Sequence, residues 1–485
     1  MNVTITSHNE SFAHLVCDYG ILREMSDRFC FKPEGYQFTP AYKAGVWNGE
    51  IRLVNAQTGQ FPKGLVPEVI DALESSDYSV ALDPSGFKHF ADKIEMVDIE
   101  SLQLGFEPYP YQIEAVKRIL AKKRQIILSP TGSGKSLILY LLVRSLPDSK
   151  ILITVPNISL VTQLFSDFKD YSKNNGWDVG SFVHTISEGA SKTSDKNIHI
   201  STWQSVYTQH AQFFTKYDVV LSDECHLSKA KSLSSILDKS INAKIKVGVS
   251  GTLDGTEVNE MVLRGLYGPI HRVASTSDLM SAGVLTNLAI KAIVLKHSDE
   301  VSKTFGKVQY VDEMDYLVRN INRNKFICNM IKGMEGNTLV LFQYVQKHGK
   351  PLEKMLKELC PDKEVYFVHG GVTGDDREQI RQLVETKENA IICASYATFS
   401  TGVNIKRLHN IVFASPTKAK IRILQSIGRG LRKHETKEVC TLYDIADDLR
   451  GTRKALNHTL RHFTIRLESY MQEGFKVKTF TLDFK

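Results

Sequence analysis

A glycine-rich segment ahead of a helical pattern carries the residue types that bind phosphate. The sequence Ser129-Pro-Thr-Gly-Ser-Gly-Lys-Ser136 follows an apolar strand pattern, which is the context that a phosphate-binding loop needs. Its glycines let backbone N–H groups turn toward phosphate oxygens, its lysine faces the β- and γ-phosphates, and its last serine offers a hydroxyl to Mg²⁺. We expect ATP and Mg²⁺ to be bound by the consecutive residues Thr131, Gly132, Ser133, Gly134, Lys135 and Ser136.

Two adjacent carboxylates follow a second apolar run. Asp223 and Glu224 come directly after Val219-Val-Leu-Ser222, and carboxylates at such a position are costly unless they bind something. Alone, the pair is equally well explained as a helix N-cap. Downstream of a phosphate-binding loop, it predicts a catalytic site in which Asp223 holds Mg²⁺ through water and Glu224 polarises the attacking water.

Two arginines near the end of the chain fit the same chemistry. Arg429 and Arg432 are three residues apart, so they share one face of a helix. A guanidinium can stabilise charge that develops on the γ-phosphate during hydrolysis. If these arginines belong to a second domain, hydrolysis requires the two domains to close. The alternative is a pair of surface arginines with acidic partners.

These segments lie among alternating strand and helix patterns. Short runs rich in β-branched residues suit buried parallel strands, and the first set is predicted at 125–128, 151–155, 198–200, 219–221 and 245–249. A second set is predicted at 338–342, 364–368, 390–393, 410–413 and 440–443, followed by a terminal helix over 452–472. In the N-terminal part, strands are predicted at 29–31, 36–38 and 51–53.

The pattern predicts an α/β protein with two tandem, doubly wound parallel-sheet domains after a small α+β domain. The predicted domains are residues 1–100, 101–282 and 283–485. The net charge of +7 is too small to predict nucleic-acid binding without local placement. Seven cysteines form no CxxC pair, so neither a disulfide framework nor a zinc site is expected. No signal peptide or membrane span is visible, and we expect a cytoplasmic monomer.

The order of the motifs resembles that of the superfamily 2 helicases and translocases over most of residues 108–450. Asp223-Glu-Cys-His226 is similar to the DECH-type second motif, and Tyr109-Pro-Tyr-Gln112 resembles the element that reads adenine. The resemblance implies two RecA-like motor domains, ATP and Mg²⁺ as cofactors, and a nucleotide site that includes Gln112 and Gly402. Asn404 departs from the aspartate that many relatives carry, which leaves its role open.

The same resemblance implies further roles. Residues that couple hydrolysis to domain movement would be His226, Ser250, Thr252 and Gln425. Nucleic-acid contacts in the two motor domains would come from Pro156, Thr202, His369, Gly370 and Thr401. Such contacts to phosphate position the nucleic acid without reading its sequence.

The segment Gly35–Leu53 resembles the N-terminal domain of the UvsW-type recombination helicases of T-even phages. This resemblance implies a double-stranded or branched DNA substrate, with unwinding, annealing, fork regression and Holliday-junction branch migration. It also implies single-strand-binding or recombinase proteins as possible partners. Lys43 and Arg52 are candidate phosphate contacts, whereas we expect Tyr36, Phe38 and Trp47 to form the core of the domain.

Three other functions compete with a DNA helicase. An RNA helicase would share the motor motifs, because those motifs grip phosphate. The motor subunit of a restriction nuclease would need a metal-dependent nuclease site, which Asp375 with Glu385-Thr-Lys387 imitates only in part. A binding module built on an inactive motor is opposed by the complete set of expected catalytic residues.

Overall fold

The computed structural model describes residues 2–484 except 88–92, 187–190, 230, 254–255, 306–307, 401–404, 418–426, 429, 432–433 and 436. These residues form two compact units. The first comprises Met1–Ser129 and Gly134–Val273, and the second comprises Pro130–Ser133 and Ala274–Lys485. The predicted three-domain division at residues 100 and 282 stays a prediction.

The N-terminal part of the first unit is a small α+β module. Its four-stranded sheet has the order β5-β2-β1-β6, and Val3, Ile5, Ala13 and Phe61 turn fully buried side chains into the core. The strands are β1 Asn2–Ser7, β2 Phe12–Val16, β3 Cys30–Phe31, β4 Ile51–Arg52, β5 Gln60–Pro62 and β6 Ser79–Leu82. The helices are Tyr19–Arg28, Pro40–Lys43, Val66–Glu74 and Pro84–Phe87.

The predicted strand at 36–38 is wrong. Tyr36–Phe38 is a 3₁₀ turn, because Gly35 turns the chain with a φ of 73° and Thr39 caps the helix Pro40–Lys43 by accepting the Tyr42 N–H at 3.3 Å. Glycine tolerates such a φ at no steric cost. The alternating aromatic residues at 36–38 therefore belong to a short helical segment between β3 and β4, and not to a strand.

The rest of the first unit is a seven-stranded sheet of order β13-β7-β12-β11-β8-β10-β9, and every pairing in it is parallel. Its strands are β7 Arg124–Leu128, β8 Ile151–Val155, β9 Val183–Ile186, β10 Ile198–Thr202, β11 Val219–Asp223, β12 Ile245–Ser250 and β13 Ile270–Arg272. Its helices are Pro110–Lys122, Lys135–Arg144, Ile158–Tyr171, Val179–Phe182, Trp203–Val206, Ala211–Phe214, Lys231–Lys239 and Glu257–Tyr267.

The second unit holds another seven-stranded parallel sheet, of order β16-β17-β15-β18-β19-β14-β20. Its strands are β14 Asn287–His297, β15 Thr338–Phe342, β16 Val365–Val368, β17 Ile391–Ser395, β18 Asn410–Phe413, β19 Val439–Asp448 and β20 Val477–Phe484. Its helices are Thr276–Ser281, Asp299–Thr304, Tyr310–Arg319, Ile321–Lys332, Lys350–Leu359, Gly374–Thr386, Tyr396–Ser400 and His458–Gln472.

The two parallel sheets and the N-terminal module confirm the predicted fold class, a tandem RecA-like α/β architecture. Strands β7, β8, β11 and β12 are buried on both faces, which explains their continuous apolar runs. The terminal helix begins at His458 rather than 452. Among the residues with described placement, no helix is long and apolar enough to cross a membrane.

A buried ionic cluster fastens the N-terminal module to the first motor sheet. The turn between β1 and β2 carries Glu10, whose carboxylate accepts from Lys63 at 3.0 Å and lies 3.7 Å from Arg124. Both cations are almost fully buried, and burial lowers the pKa of Arg124 to about 10. The Glu10 N–H also donates to the carbonyl of Ile241 at 2.8 Å. One carboxylate therefore offsets two desolvated cations where the module meets the motor.

We expect Glu10→Ala to destabilise the first unit strongly. Removing one partner from a buried ion pair leaves an uncompensated charge, which costs about 3–5 kcal/mol. Thermal unfolding followed by circular dichroism would measure the loss. Asp27→Ala, which breaks an exposed pair with Arg52 in the same module, is the matched control and should leave the midpoint nearly unchanged. Equal midpoints for the two variants would contradict this account.

Candidate functional site

The predicted phosphate-binding loop joins β7 to the helix Lys135–Arg144. The Ser129 N–H donates to the carbonyl of Ser250 at 2.9 Å, which ties the start of the loop to the end of β12. Gly132 and Gly134 have φ values of 86° and 79°, in the left-handed region that glycine adopts readily. Lys135 Nζ lies 3.4 Å from the Ser129 carbonyl oxygen. The loop thus curls around its own lysine, at the N-terminus of a helix whose dipole favours anions.

The predicted adenine-reading glutamine lies against this loop. Gln112 is buried, and its Oε1 accepts the Tyr109 N–H at 2.9 Å. A Cβ added to Gly134 would lie 2.4 Å from Gln112 Nε2, so the amide and the loop backbone are in direct contact. Tyr109 and Tyr111 stack nearly parallel beside it, with ring centroids 5.6 Å apart. The sequence prediction for Gln112 gains a physical basis, because a base recognised there would be next to the phosphates.

The two carboxylates stand at the end of β11, two strands away from β7 in the sheet. Asp223 Oδ1 accepts the N–H of Glu224 at 3.0 Å, and Glu224 has a φ of 51°. A non-glycine residue in that region carries strain of order 1–3 kcal/mol and commonly marks a functional site. Burial, followed by the neighbouring Glu224 charge, raises the pKa of Asp223 to about 6, while Lys135 opposes the rise. A cation is favoured next to this pair.

A hydrogen bond joins His226, in the segment Asp223-Glu-Cys-His226, to Ser250 at the end of β12. His226 Nδ1 lies 3.3 Å from Glu224 Oε2 and 3.0 Å from Ser250 Oγ, and Ser250 Oγ donates to the Thr252 carbonyl at 2.8 Å. Because the single hydroxyl proton of Ser250 goes to that carbonyl, His226 must carry a proton on Nδ1 to bond with Ser250. Of the predicted coupling residues, His226 therefore lies next to the predicted water-polarising group Glu224, while Ser250 bonds to His226 and the Thr252 carbonyl bonds to Ser250.

The oxygen-rich donor set fits Mg²⁺, which prefers carboxylate, hydroxyl and water oxygens. The predicted ligands are Ser136 and Asp223. Ser136 Oγ lies 3.0 Å from the hydroxyl of Tyr171, at the end of the helix Ile158–Tyr171. Ser136 would therefore have to exchange or share this hydrogen bond when it binds a metal. Tyr171 is a neighbour of the site that sequence reasoning missed, since it belongs to no motif.

The predicted nucleic-acid segments of the first unit lie on the neighbouring strands β8 and β10. Pro156 follows β8, and its carbonyl accepts Gln204 Nε2 at 3.1 Å, so the two segments are linked. Thr202 ends β10 and caps the short helix after it, accepting the Ser205 N–H at 3.3 Å. The nearly buried Thr202 hydroxyl is thus engaged within its own turn. Its phosphate contact stays a prediction.

In the second unit, His369 and Gly370 follow β16 at the edge of the sheet. His369 Nδ1 accepts the Gly371 N–H at 3.0 Å, and Arg377 donates to the carbonyl of Gly370 at 3.3 Å. A Cβ on Gly370 would meet nothing within 4 Å, so a ligand can approach its backbone. The remaining predicted residues of this unit lie outside the described residues: Thr401, Gly402, Gln425, Arg429 and Arg432.

In the N-terminal module, the structure separates the two candidate phosphate contacts. Lys43 is exposed at the end of the helix Pro40–Lys43. Arg52 instead pairs with Asp27 at 2.6 Å and with Glu50 at 3.0 Å, so a phosphate would have to compete with two carboxylates. The expectation that Phe38 belongs to the core is wrong, because its side chain is 76% exposed. Tyr36 and Trp47 are half-buried and stand apart from the core cluster of the module.

The fold and this arrangement define a superfamily 2 helicase. Three family models match the chain: "DNA helicase UvsW, N-terminal" over residues 2–83, "Type III restriction enzyme, res subunit" over 105–255, and "Helicase conserved C-terminal domain" over 322–434. More specifically, the chain belongs to the UvsW family of phage helicases. It is 34% identical to the ATP-dependent DNA helicase uvsW of Enterobacteria phage T4, over 98% of each chain.

Two further similarities agree with this assignment. The crystal structure of T4 UvsW matches with a TM-score of 0.50 and 31% identity, covering all of both chains. The DNA 3'-5' translocase XPB2 of Sulfurisphaera tokodaii is 24% identical, over 83% of this chain and 93% of the relative. The family model of the UvsW N-terminal domain covers residues 2–83, which form the N-terminal module.

We expect Gly134→Ala to abolish ATP binding without unfolding the protein. The added Cβ would lie 2.4 Å from Gln112 Nε2 at a φ of 79°, so the loop must distort. Fluorescent-nucleotide titration and thermal unfolding would measure binding and stability. Gly176→Ala is the matched control, because it has a similar φ of 69° but meets nothing within 4 Å. Normal nucleotide affinity in the Gly134 variant would contradict the assignment of the loop.

Proposed function

We propose that this chain is an ATP-dependent DNA helicase that remodels branched DNA in phage recombination, repair and replication. Membership of the UvsW family makes it an ATP-dependent DNA helicase. The finer activities, namely fork regression, Holliday-junction branch migration, R-loop or duplex unwinding and annealing, are part of the proposal. The observation that supports the motor most directly is the contact of Glu224 with His226 and of His226 with Ser250.

In the proposed hydrolysis step, ATP is the substrate and its phosphates are bound by the N–H groups of the loop Thr131–Ser136. Lys135 neutralises the β- and γ-phosphates, and Glu224 orients and polarises the attacking water. Mg²⁺ held by Ser136 and Asp223 would neutralise phosphate charge when bound. Arg429 and Arg432 stabilise charge developing on the γ-phosphate, as an arginine finger does.

The proposed coupling starts from the same residues. A change in charge at Glu224 alters its contact with His226, and Ser250 and Thr252 hold the next part of that chain. Gln425 and Gly402 are proposed to complete the coupling and nucleotide sites from the second motor domain. If Arg429 is needed for turnover, ATP hydrolysis requires closure of the second domain, which converts a chemical step into movement along DNA.

The N-terminal module is proposed to contact DNA through the excursion 35–49 between β3 and β4. Phe38 and Val46 are 76% and 82% exposed, and Tyr42 is also exposed. Tyr36 and Tyr42 pack edge to face at 4.9 Å, and Trp47 Nε1 donates to the Glu50 carbonyl at 2.8 Å, so the excursion is internally braced. It contains one lysine, Lys43, and no acidic residue. Exposed aromatic groups in the same short segment as a lysine suit base stacking and phosphate contact.

The partners are proposed from the same family assignment. We propose forked or four-way duplex DNA as the main partner, with single-strand-binding or recombinase proteins as additional ones. We propose further that the chain works as a monomer in the cytoplasm of the host cell. Contacts to the DNA would come from Pro156, Thr202, His369, Gly370, Thr401, Lys43 and Arg52.

The restriction-nuclease alternative finds no support in the described side chains. Glu385 pairs with Arg381 at 3.1 Å, and Lys387 pairs with Glu364 at 2.6 Å, so each is bound to a different partner. Among the described residues, no group of three potential metal ligands is found. An RNA helicase is the remaining alternative, because phosphate-gripping motifs do not by themselves distinguish DNA from RNA.

Stimulation of ATP hydrolysis by different nucleic acids tests the proposal. We expect forked DNA and four-way junctions to stimulate turnover more than plain duplex, and RNA to stimulate it least. Lys135→Ala should lose turnover by at least about 10²-fold, because a cation facing the transferred phosphate is gone, while DNA binding persists. Stimulation by RNA alone would overturn the DNA assignment, and undiminished turnover in the lysine variant would overturn the nucleotide site.

A substitution in the N-terminal excursion tests the proposed DNA contact. We expect Phe38→Ser to weaken binding of a fluorescent fork by at least about five-fold, since loss of one base-stacking contact costs about 1–3 kcal/mol. Stability should not change, because the side chain is exposed. Tyr19→Ser removes another exposed aromatic group of the same module, 61% exposed, and should bind the fork normally. Equal affinities for the two variants would remove the excursion from the DNA site.

A further inference from the structure

Lys437 is a buried lysine that no motif identifies. It lies just before β19, is 6% exposed, and its main chain bridges to His434. Its ammonium group donates to two backbone carbonyls, that of Gly430 at 2.7 Å and that of Lys406 at 3.0 Å. Among the residues that the structure describes, no ion pair includes Lys437. Taking an ammonium group out of water without a carboxylate partner is costly, so these two carbonyls are its principal compensation.

The first carbonyl belongs to a chain segment that bears directly on hydrolysis. Gly430 lies between Arg429 and Arg432 in the sequence. A Cβ on Gly430 would lie 2.6 Å from Ile411 Cδ1 and 2.8 Å from Cys440 Sγ, so its backbone is pressed against β18 and β19. The next carbonyl, of the fully buried Leu431, accepts the Thr286 N–H at 2.7 Å. The carbonyl groups of Gly430 and Leu431, which follow Arg429 in the sequence, therefore each accept a hydrogen bond from another part of the chain.

The second carbonyl is that of Lys406, which follows the predicted nucleotide-site residue Gly402 in the sequence. Lys406 is four residues after Gly402, and its own N–H donates to Glu385 Oε1 at 3.2 Å. The neighbouring Arg407 carbonyl accepts from the buried Asn337 side chain at 2.9 Å. The Lys437 ammonium group thus connects the backbone at Gly430 with the backbone at Lys406. Each of these two segments also bonds to a different part of the same unit.

We propose that Lys437 is a positioning residue for ATP hydrolysis, which holds the main chain beside Arg429 in fixed register with the chain that follows Gly402. It touches neither ATP nor DNA and acts through the backbone of Gly430 and Lys406. The proposal rests on the proposed role of Arg429 in turnover. It extends that role by naming what sets the position of the arginine.

Lys437→Met tests this directly, because methionine has a similar length and no donor. We expect kcat for DNA-stimulated ATP hydrolysis to fall roughly ten-fold or more, since small misplacement of a catalytic group has effects of that size or larger. KM for ATP and the affinity for forked DNA should stay close to wild type, because the phosphate-binding loop is unchanged.

Lys363→Met is the matched control. Lys363 also donates to two backbone carbonyls in the same unit, those of Ile331 and Met334, but these lie in and just after the last turn of the helix Ile321–Lys332, which carries no catalytic motif. The Lys363→Met substitution should lower the midpoint of thermal unfolding without lowering kcat per folded molecule. Equal losses of kcat in the two lysine variants would overturn the proposal.

A combination with Arg429→Ala separates positioning from general structural damage. If Lys437 acts through Arg429, Lys437→Met should cause no further loss of kcat in the Arg429→Ala background, whereas independent effects would multiply. Normal turnover in Arg429→Ala alone would refute the arginine assignment and the positioning role of Lys437 with it, whereas a multiplied loss in the double variant would refute the positioning role alone. If Lys437→Met does not fold, Lys437→Arg, which retains charged donors of long reach, should keep most of kcat, and Lys437→Gln, whose amide donor is shorter and uncharged, should lose it; equal turnover in these two variants would overturn the proposal.

Discussion

The carboxylates of Asp223 and Glu224 lie side by side after a buried strand and repel each other. Neighbouring groups of the first motor sheet offset this repulsion. Asp223 and Glu224 end β11, where burial and the neighbouring charge together raise the pKa of Asp223 to about 6. The lysine of the phosphate-binding loop lowers that pKa, the Glu224 N–H donates to Asp223, and His226 lies against Glu224. A divalent cation next to the pair would offset this repulsion and would also neutralise nucleotide phosphate charge. The strained backbone of Glu224 is consistent with a residue held for chemistry rather than for packing.

The strand order places the predicted nucleotide-site segments and the predicted nucleic-acid segments after different strands of the first motor sheet. The neighbouring strands β7, β12 and β11 end in the phosphate-binding loop, the coupling motif and the carboxylates, whereas β8 and β10 end in the predicted nucleic-acid segments. The two groups meet between β11 and β8, where Thr154 Oγ1 and Ser222 Oγ lie 2.9 Å apart. Ser222 directly precedes Asp223, and Thr154 is two residues before Pro156. The residues predicted to bind the nucleotide and those predicted to contact DNA are therefore joined by adjacent hydrogen-bonded strands.

The sequence predicted the central strands well because they depend on local patterns, and the nucleotide-site residues stay a prediction. Buried parallel strands read as continuous apolar runs, and glycines with positive φ mark the loop. The outer strands β14 and β20 were missed, because the exposed, alternating residues of β20 do not resemble a buried strand. Phe38 was assigned wrongly to the core, since hydrophobicity does not reveal that a short excursion has too few neighbours to bury it. Tyr171 and Lys437 could not be found from spacing, because their hydrogen-bond partners, Ser136 and the Lys406 carbonyl, lie 35 and 31 residues away in the sequence.

The central claim is that Glu224 activates water in a nucleotide site that binds ATP without its help. Measurement of ATP affinity and turnover in Glu224→Gln tests this most directly, since glutamine keeps the shape and removes the charge. The account predicts that ATP and forked DNA bind at least as tightly as to the wild type, while turnover falls by about 10²-fold or more. Turnover within about two-fold of wild type would contradict the account, because the carboxylate would then supply almost none of the barrier reduction.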